Sequence, residues 1–256
     1  MAPVIDTHAH LCDAAFTGDL EQVLKRAQEA GVAGIVAVGE NLADAKANLQ
    51  LAAEYPQLVH AAAGLFPTVL DLDAAEEMVT FIRAHSDRLI AVGEVGLDLW
   101  KVQDDVGRGI QREILSILVD LAIELDLPLN VHSRSAGRQT IEVLLERGAR
   151  KVQLHAFDGR AANAAPGVEA GYYFSVPPSI ARSAQKQKLV HRLPLETLLA
   201  ETDSPVLAAQ ADRRNEPCNV RESIAAVAEI KGLSASEVGQ CMWENTRRLY
   251  GPRIGG

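Results

Sequence analysis

Cysteine is scarce in this chain. Three in 256 residues, Cys12, Cys218 and Cys241, stand far apart and without a clustered spacing. That excludes a disulfide framework and a cysteine-based zinc site, and it predicts reduced thiols in a cytoplasmic protein. Aromatic residues make up only 4%, too few for a long platform on which successive bases of a nucleic acid would stack. No apolar run approaches the length of a membrane span, and the N-terminus lacks a basic segment followed by a long apolar one. Neither a membrane contact nor a secretory signal is expected. Basic residues are outnumbered, 25 against 34 acidic ones, for a formal charge of −9. Such a body limits non-specific duplex binding, because phosphate contacts need Lys and Arg. There is no Ser/Gly linker, charge block or low-complexity tract, so residues 1–256 are expected to form a single domain. Nothing in the sequence requires an obligate protein partner.

Apolar residues, at 48%, are ample for one sizeable core. Short β-branched runs recur, at 3–10, 34–39, 58–67, 89–96, 128–134, 152–157, 172–177 and 197–205. Amphipathic stretches lie between them, among them 19–31, with Asp19 as N-cap and Gly31 as C-cap glycine, 43–55 and 110–126. Strand and helix alternate eight times, the pattern of parallel βαβ units, and helical stretches at 217–231 and 234–249 close the chain. The first strand is followed by no glycine-rich phosphate turn, which argues against an open doubly wound sheet. The expected fold is a (β/α)8 TIM barrel with extra C-terminal helices.

Such barrels build their chemistry at the C-terminal ends of the strands. His8 and His10 end the first expected strand, in VIDTHAH, where alternate residues share a face. Glu94 lies near the end of the fourth, His132 of the fifth, His155 of the sixth, and Asp203 ends the eighth. His60, His85 and His191 fall elsewhere. Four imidazoles and two carboxylates gathered at one mouth without a cation would leave uncompensated charge and unsatisfied nitrogens. Six ligands exceed what one tetrahedral ion needs, so two divalent ions are expected. One would take His8, His10, Glu94 and Asp203, the other Glu94, His132 and His155, with Glu94 as the bridge. Mixed imidazole and carboxylate ligation suits Zn, Mn, Ni or Co, with Mg possible for activity.

Five segments, DTHAHL (6–11), GEVGLD (93–98), NVHSR (130–134), LHAFDG (154–159) and ETDSP (201–205), resemble in order the signatures of TatD-like metal-dependent deoxyribonucleases. HSRSAGR (132–138), PPSIARSAQKQKLV (177–190) and RNEP (214–217) most resemble the TatD domain-containing protein 3 subgroup. The resemblance spans about Val4 to Tyr250. It implies an amidohydrolase-type barrel and a two-metal phosphodiesterase, often a 3′-exonuclease on DNA, with its ligands at His8, His10, Glu94, His132, His155 and Asp203. Relatives often carry tyrosines after GEVGLD, where this chain has Leu99 and Trp100.

The loops after strands five to eight, taken as 134–138, 157–160, 177–188 and 205–216, hold eight basic residues against Asp158, Asp212 and Glu216. The basic ones are Arg134, Arg138, Arg160, Arg182, Lys186, Lys188, Arg213 and Arg214. A basic rim on an acidic body attracts phosphate locally. The expected substrate is DNA, as a single strand or a 3′ end. Arg134, Arg160 and Arg182 would hold phosphates, and Trp100, Phe66 or Phe157 would offer a ring to a base. Asp203 is expected to orient the attacking water and take its proton, Glu94 to serve catalysis as the bridge, and Glu201 to sit deeper as support. The alternative is a dinuclear hydrolase acting on an amide, lactone or ester.

Overall fold

A computed structural model describes residues 2–255. Eight parallel strands form one sheet in sequence order: β1 (Val4–Ala9), β2 (Val32–Ala37), β3 (Val59–Ala63), β4 (Ala91–Gly96), β5 (Leu129–His132), β6 (Val152–Leu154), β7 (Tyr173–Val176) and β8 (Leu198–Ala200). The sheet curls shut just past its ends. Ala9 bridges Ser204, the His10 N–H donates to the Ser204 carbonyl at 2.8 Å, and the Asp203 N–H donates to the His8 carbonyl at 2.8 Å. Helices follow the strands in turn: α1 (Leu20–Glu29), α2 (Leu42–Glu54), α3 (Leu72–His85), α4 (Asp105–Glu124), α5 (Gly137–Glu146), α6 (Ala161–Glu169), α7 (Ala184–Arg192) and α8 (Val220–Lys231). A last helix, α9 (Ala235–Tyr250), completes the expected (β/α)8 barrel. Among the described residues, no helix is long and apolar enough to cross a membrane.

All eight expected strands are present, but those expected to reach 67, 157 and 205 stop at Ala63, Leu154 and Ala200. Past the last ladder bonds the backbone turns inward, and Ala156 and Asp203 take positive φ of 41° and 54°, outside any strand geometry. Helix α4 begins at Asp105, ahead of the expected Ile110. Gly107 and Gly109 weaken helix propensity there, yet Asp104 caps the first turn by accepting from the Gly107 N–H at 2.8 Å. Asp19 stands at the N-cap of α1 but makes no capping bond. Arg214, at 2.7 Å, and Arg26, at 3.4 Å, draw its carboxylate away.

The main core lies between strands and helices, where Leu24, Ile35, Met78, Leu115 and Phe174 are buried. A second cluster fills the barrel floor: Ile5, Val36, Ile90 and Leu199 meet Leu249 and Tyr250 of α9 and Ile254 beyond it. Burying each such side chain stabilises the fold by about 1.5–3 kcal/mol. Above that plug the barrel interior is polar, with Thr7, Asn130, Gln153, Ser175 and Glu201 buried and hydrogen-bonded to one another or to the strands. The floor is apolar and closed; the polar layer supports the mouth.

Candidate metal centre

All six expected ligands converge at that mouth. The Nε2 atoms of His8 and His10 lie 3.3 Å apart, and each is 3.4 Å from Asp203 Oδ1. Glu94 Oε2 is 3.7 Å from the first and 3.4 Å from the second. These are five of the six edges of a tetrahedron. A tetrahedron with edges of about 3.4 Å has its centre about 2.1 Å from each corner, the length of a bond from zinc to imidazole or carboxylate. The other oxygen, Glu94 Oε1, is 2.7 Å from His132 Nδ1 and 3.2 Å from His155 Nε2. One buried carboxylate therefore spans two clusters, His8–His10–Glu94 and Glu94–His132–His155.

The donor chemistry fits divalent cations. Glu94 Oε2 is buried and accepts no hydrogen bond. Among the described residues, the ion pairs of Glu94, Asp98, Glu201 and Asp203 all come from histidines, none from Lys or Arg. Buried carboxylates in such number need compensating positive charge.

The outward nitrogens of His8 and His132 are held by hydrogen bonds, whereas His155 Nδ1 makes none. His8 Nδ1 meets Asn130 Oδ1 at 2.8 Å, and Asn130 Nδ2 donates to the Thr7 carbonyl at 2.9 Å and to Tyr250 Oη at 3.1 Å. The Tyr250 hydroxyl in turn donates to Gln153 Oε1 at 2.6 Å. With its amide so fixed, Asn130 presents an acceptor, so His8 carries its proton on Nδ1 and turns a bare Nε2 to the centre. His132 is reversed: Nε2 meets Asp98 Oδ2 at 3.1 Å, and Nδ1, 2.7 Å from Glu94 Oε1, is the nitrogen that would face a metal. Glu201 sits beneath His155, 3.5 Å from Nδ1, and accepts from the Ala156 N–H at 2.8 Å and the Ser175 hydroxyl at 2.6 Å. His8 stacks on His155 with centroids 3.8 Å apart. Asp98, Asn130, Gln153 and Tyr250 were not singled out from sequence, although Asp98 lies inside GEVGLD and Asn130 stands two residues before His132 on the same strand face. GEVGLD also needs its second glycine: at φ 154°, a side chain on Gly96 would collide with the His132 carbonyl.

The sequence profile of the family described as TatD related DNase matches residues 5–251. The chain belongs to that family. It is 45% identical over 261 residues to the human protein named deoxyribonuclease TATDN3, covering 96% of this chain and 94% of that one. It is 30% identical to the 3′-5′ ssDNA/RNA exonuclease TatD of Erwinia tasmaniensis, covering 96% and 99%. Among solved structures, the Escherichia coli K12 TatD homologue YJJV superposes with a TM-score of 0.89 at 31% identity, covering 97% and 98%. The two His/Glu clusters are groups able to hold metal ions, as the centre of a TatD metal-dependent hydrolase requires.

Electrostatics tie this TatD centre to protons. Burial pushes Asp203 and Glu94 up, yet the surrounding histidines outweigh it and hold both carboxyls well below the usual range. Burial likewise disfavours charge on His10, but Asp203 and Glu94 overcome it and raise that imidazole to about 10. His132 and His155 are raised in the same way. Metal-free protein therefore carries a proton on the His10 imidazole at neutral pH, and a metal must displace it. Metal binding is expected to release protons, with affinity rising as pH rises toward 10. Calorimetric titrations in two buffers of different ionisation enthalpy check this; an identical heat in both would contradict it.

The rim is narrower than the loop composition suggests. Arg213 pairs with Glu222 at 3.2 Å, Arg214 with Asp19 and Glu216, and Arg138 with Glu142 at 3.6 Å. Phe157 is buried against Phe174, so it cannot stack a base. Phe66 packs edge-on to His132 at 5.1 Å. Trp100 is 50% exposed, and the Arg134 guanidinium lies over its ring at 3.8 Å. Arg160 stands exposed at the start of α6; Arg182 is anchored by Nε donating to the Ala208 carbonyl at 3.2 Å. His60, His85 and His191 take no part in the centre.

Proposed function

We propose that this TatD hydrolase is a deoxyribonuclease that cleaves phosphodiester bonds of single-stranded or 3′-end DNA. The observation that carries the reading is Glu94, a single buried carboxylate facing two imidazole clusters at once. His8, His10, Glu94 and Asp203 would hold one divalent ion and Glu94, His132 and His155 the other, of Zn, Mn, Ni or Co, with Mg able to support activity. Two such ions lower the pKa of water and neutralise charge on the phosphate oxygens. Asp203 orients the attacking water and takes its proton. Asn130, Asp98 and Glu201 hold the imidazoles in register, so little reorganisation accompanies reaction. Arg134, Arg160 and Arg182 hold flanking phosphates. Trp100, stiffened by Arg134, offers its exposed ring to a terminal base.

The sparse aromatics and the 3′-5′ ssDNA/RNA exonuclease activity named for the Erwinia tasmaniensis relative favour a short single strand over duplex. Three free thiols suit a reducing cytoplasm. The test is hydrolysis of labelled single-stranded DNA, duplex DNA and RNA after loading with each metal, beside a panel of lactones, amides and esters. Single-stranded DNA is expected to be cut fastest. Turnover of the panel with every nucleic acid left intact would overturn the reading in favour of an amide, lactone or ester hydrolase.

A further inference from the structure

A groove of about 360 Å³, the size of a small-ligand pocket, runs between the start of α6 and the side of α7. Gly159, Arg160, Gln185, Lys188, Leu189 and Arg192 line it. Three of these are cations, all exposed, and none is ion-paired to a described carboxylate. Arginines elsewhere, such as Arg83, Arg112 and Arg147, have carboxylate partners. The placement also costs stability. Lys188 and Arg192 stand four apart on α7, a like-charge spacing, and Arg160 sits at the positive end of α6, where a cation is disfavoured. An anion in the groove relieves both. Gly159 and Arg160 of its lining follow His155 in the loop after β6, where Gln185 donates to Asp158 and to the Gly159 carbonyl at 3.3 Å, and Lys186 of α7 donates to the Ala156 carbonyl at 2.7 Å.

We infer that this groove binds backbone phosphates of the substrate strand beyond the scissile bond, an inference that rests on the deoxyribonuclease reading. No aromatic ring lines it, so contacts fall on phosphate and the binding is independent of sequence.

The test is fluorescence anisotropy of a labelled oligothymidylate across a salt series, using metal-loaded protein carrying Asp203→Asn to spare the strand. Into this background go Lys188→Gln with Arg192→Gln, or Arg150→Glu, which lowers net charge equally but sits in the loop before β6, at the opposite end of the barrel. The double variant should weaken binding roughly tenfold and flatten the slope of log affinity against log salt by about 1.4, two lost phosphate contacts at about 0.7 each. Arg150→Glu should leave the slope unchanged. A double variant whose slope parallels that of the parent, or an equal change in Arg150→Glu, overturns the groove. Cleavage by wild-type protein is followed in parallel. Cleavage with unaltered slopes removes the groove alone, binding without cleavage removes the deoxyribonuclease reading alone, and neither binding nor cleavage removes both.

Discussion

Glu94→Gln is expected to cost at least two decades in turnover, equivalent to about 2.7 kcal/mol or more of transition-state stabilisation, and to lower bound metal from about two ions per chain to one or fewer. The amide keeps the shape of the side chain but replaces one oxygen by an NH2 group, which donates and cannot ligate. Whichever way it turns, either the His8–His10 cluster or the His132–His155 cluster faces that donor, because the two oxygens of Glu94 are divided between them. His85→Gln serves as the control. His85 lies on α3, bonded through Nδ1 to the Phe81 carbonyl at 2.9 Å, and its loss should leave both metal content and rate unchanged. Elemental analysis and a steady-state assay on the same preparations decide. Equal rates in the two variants would mean that Glu94 does not join the clusters into one working unit.

Asp203→Asn should be as damaging by a different route. Its carboxylate, three residues past the end of β8, lies 3.4 Å from both His8 and His10, and it is absent from the Glu94–His132–His155 group. Removing the charge removes the group proposed to take the proton of water, a loss of about two to four decades in kcat. The second cluster keeps its ligands, so at least one ion should remain. The two variants differ in metal content: Glu94→Gln weakens both clusters, while Asp203→Asn removes a ligand of the first alone and should retain more metal than Glu94→Gln. An Asp203→Asn enzyme within tenfold of wild type would place the proton acceptor elsewhere.

What the sequence made legible and what it did not divide along a physical line. The order of strands and the side of the barrel they end on were legible because β-branched runs alternate with amphipathic stretches, and barrels place chemistry at one end of every strand, although three strands stop short at Ala63, Leu154 and Ala200. His8, His10, Glu94, His132, His155 and Asp203 were found that way, each from its own local segment. Of the supporting residues only Glu201 was anticipated; Asp98, Asn130, Gln153 and Tyr250 were not, because their roles are made by contacts across the barrel. Asn130 meets His8 from 122 positions away, and Tyr250 reaches Asn130 from 120. No local pattern marks a side chain whose partner is that distant.

Charge behaved the same way. The loops could be counted as basic, but pairing decides which charges remain free. Arg214 is spent on Asp19, 195 positions earlier, while Lys188 and Arg192, only one of which lay inside the counted loops, stand unpaired beside a groove. The sequence by itself determined the barrel, the ligand types and the strands that carry them, since these follow from periodicity and residue chemistry along the chain. The tertiary structure alone decided the tetrahedral edges near 3.4 Å, the division of Glu94 between two clusters, the tautomer of His8, and the course of free positive charge. Distances and pairings between remote residues exist only once the barrel has closed.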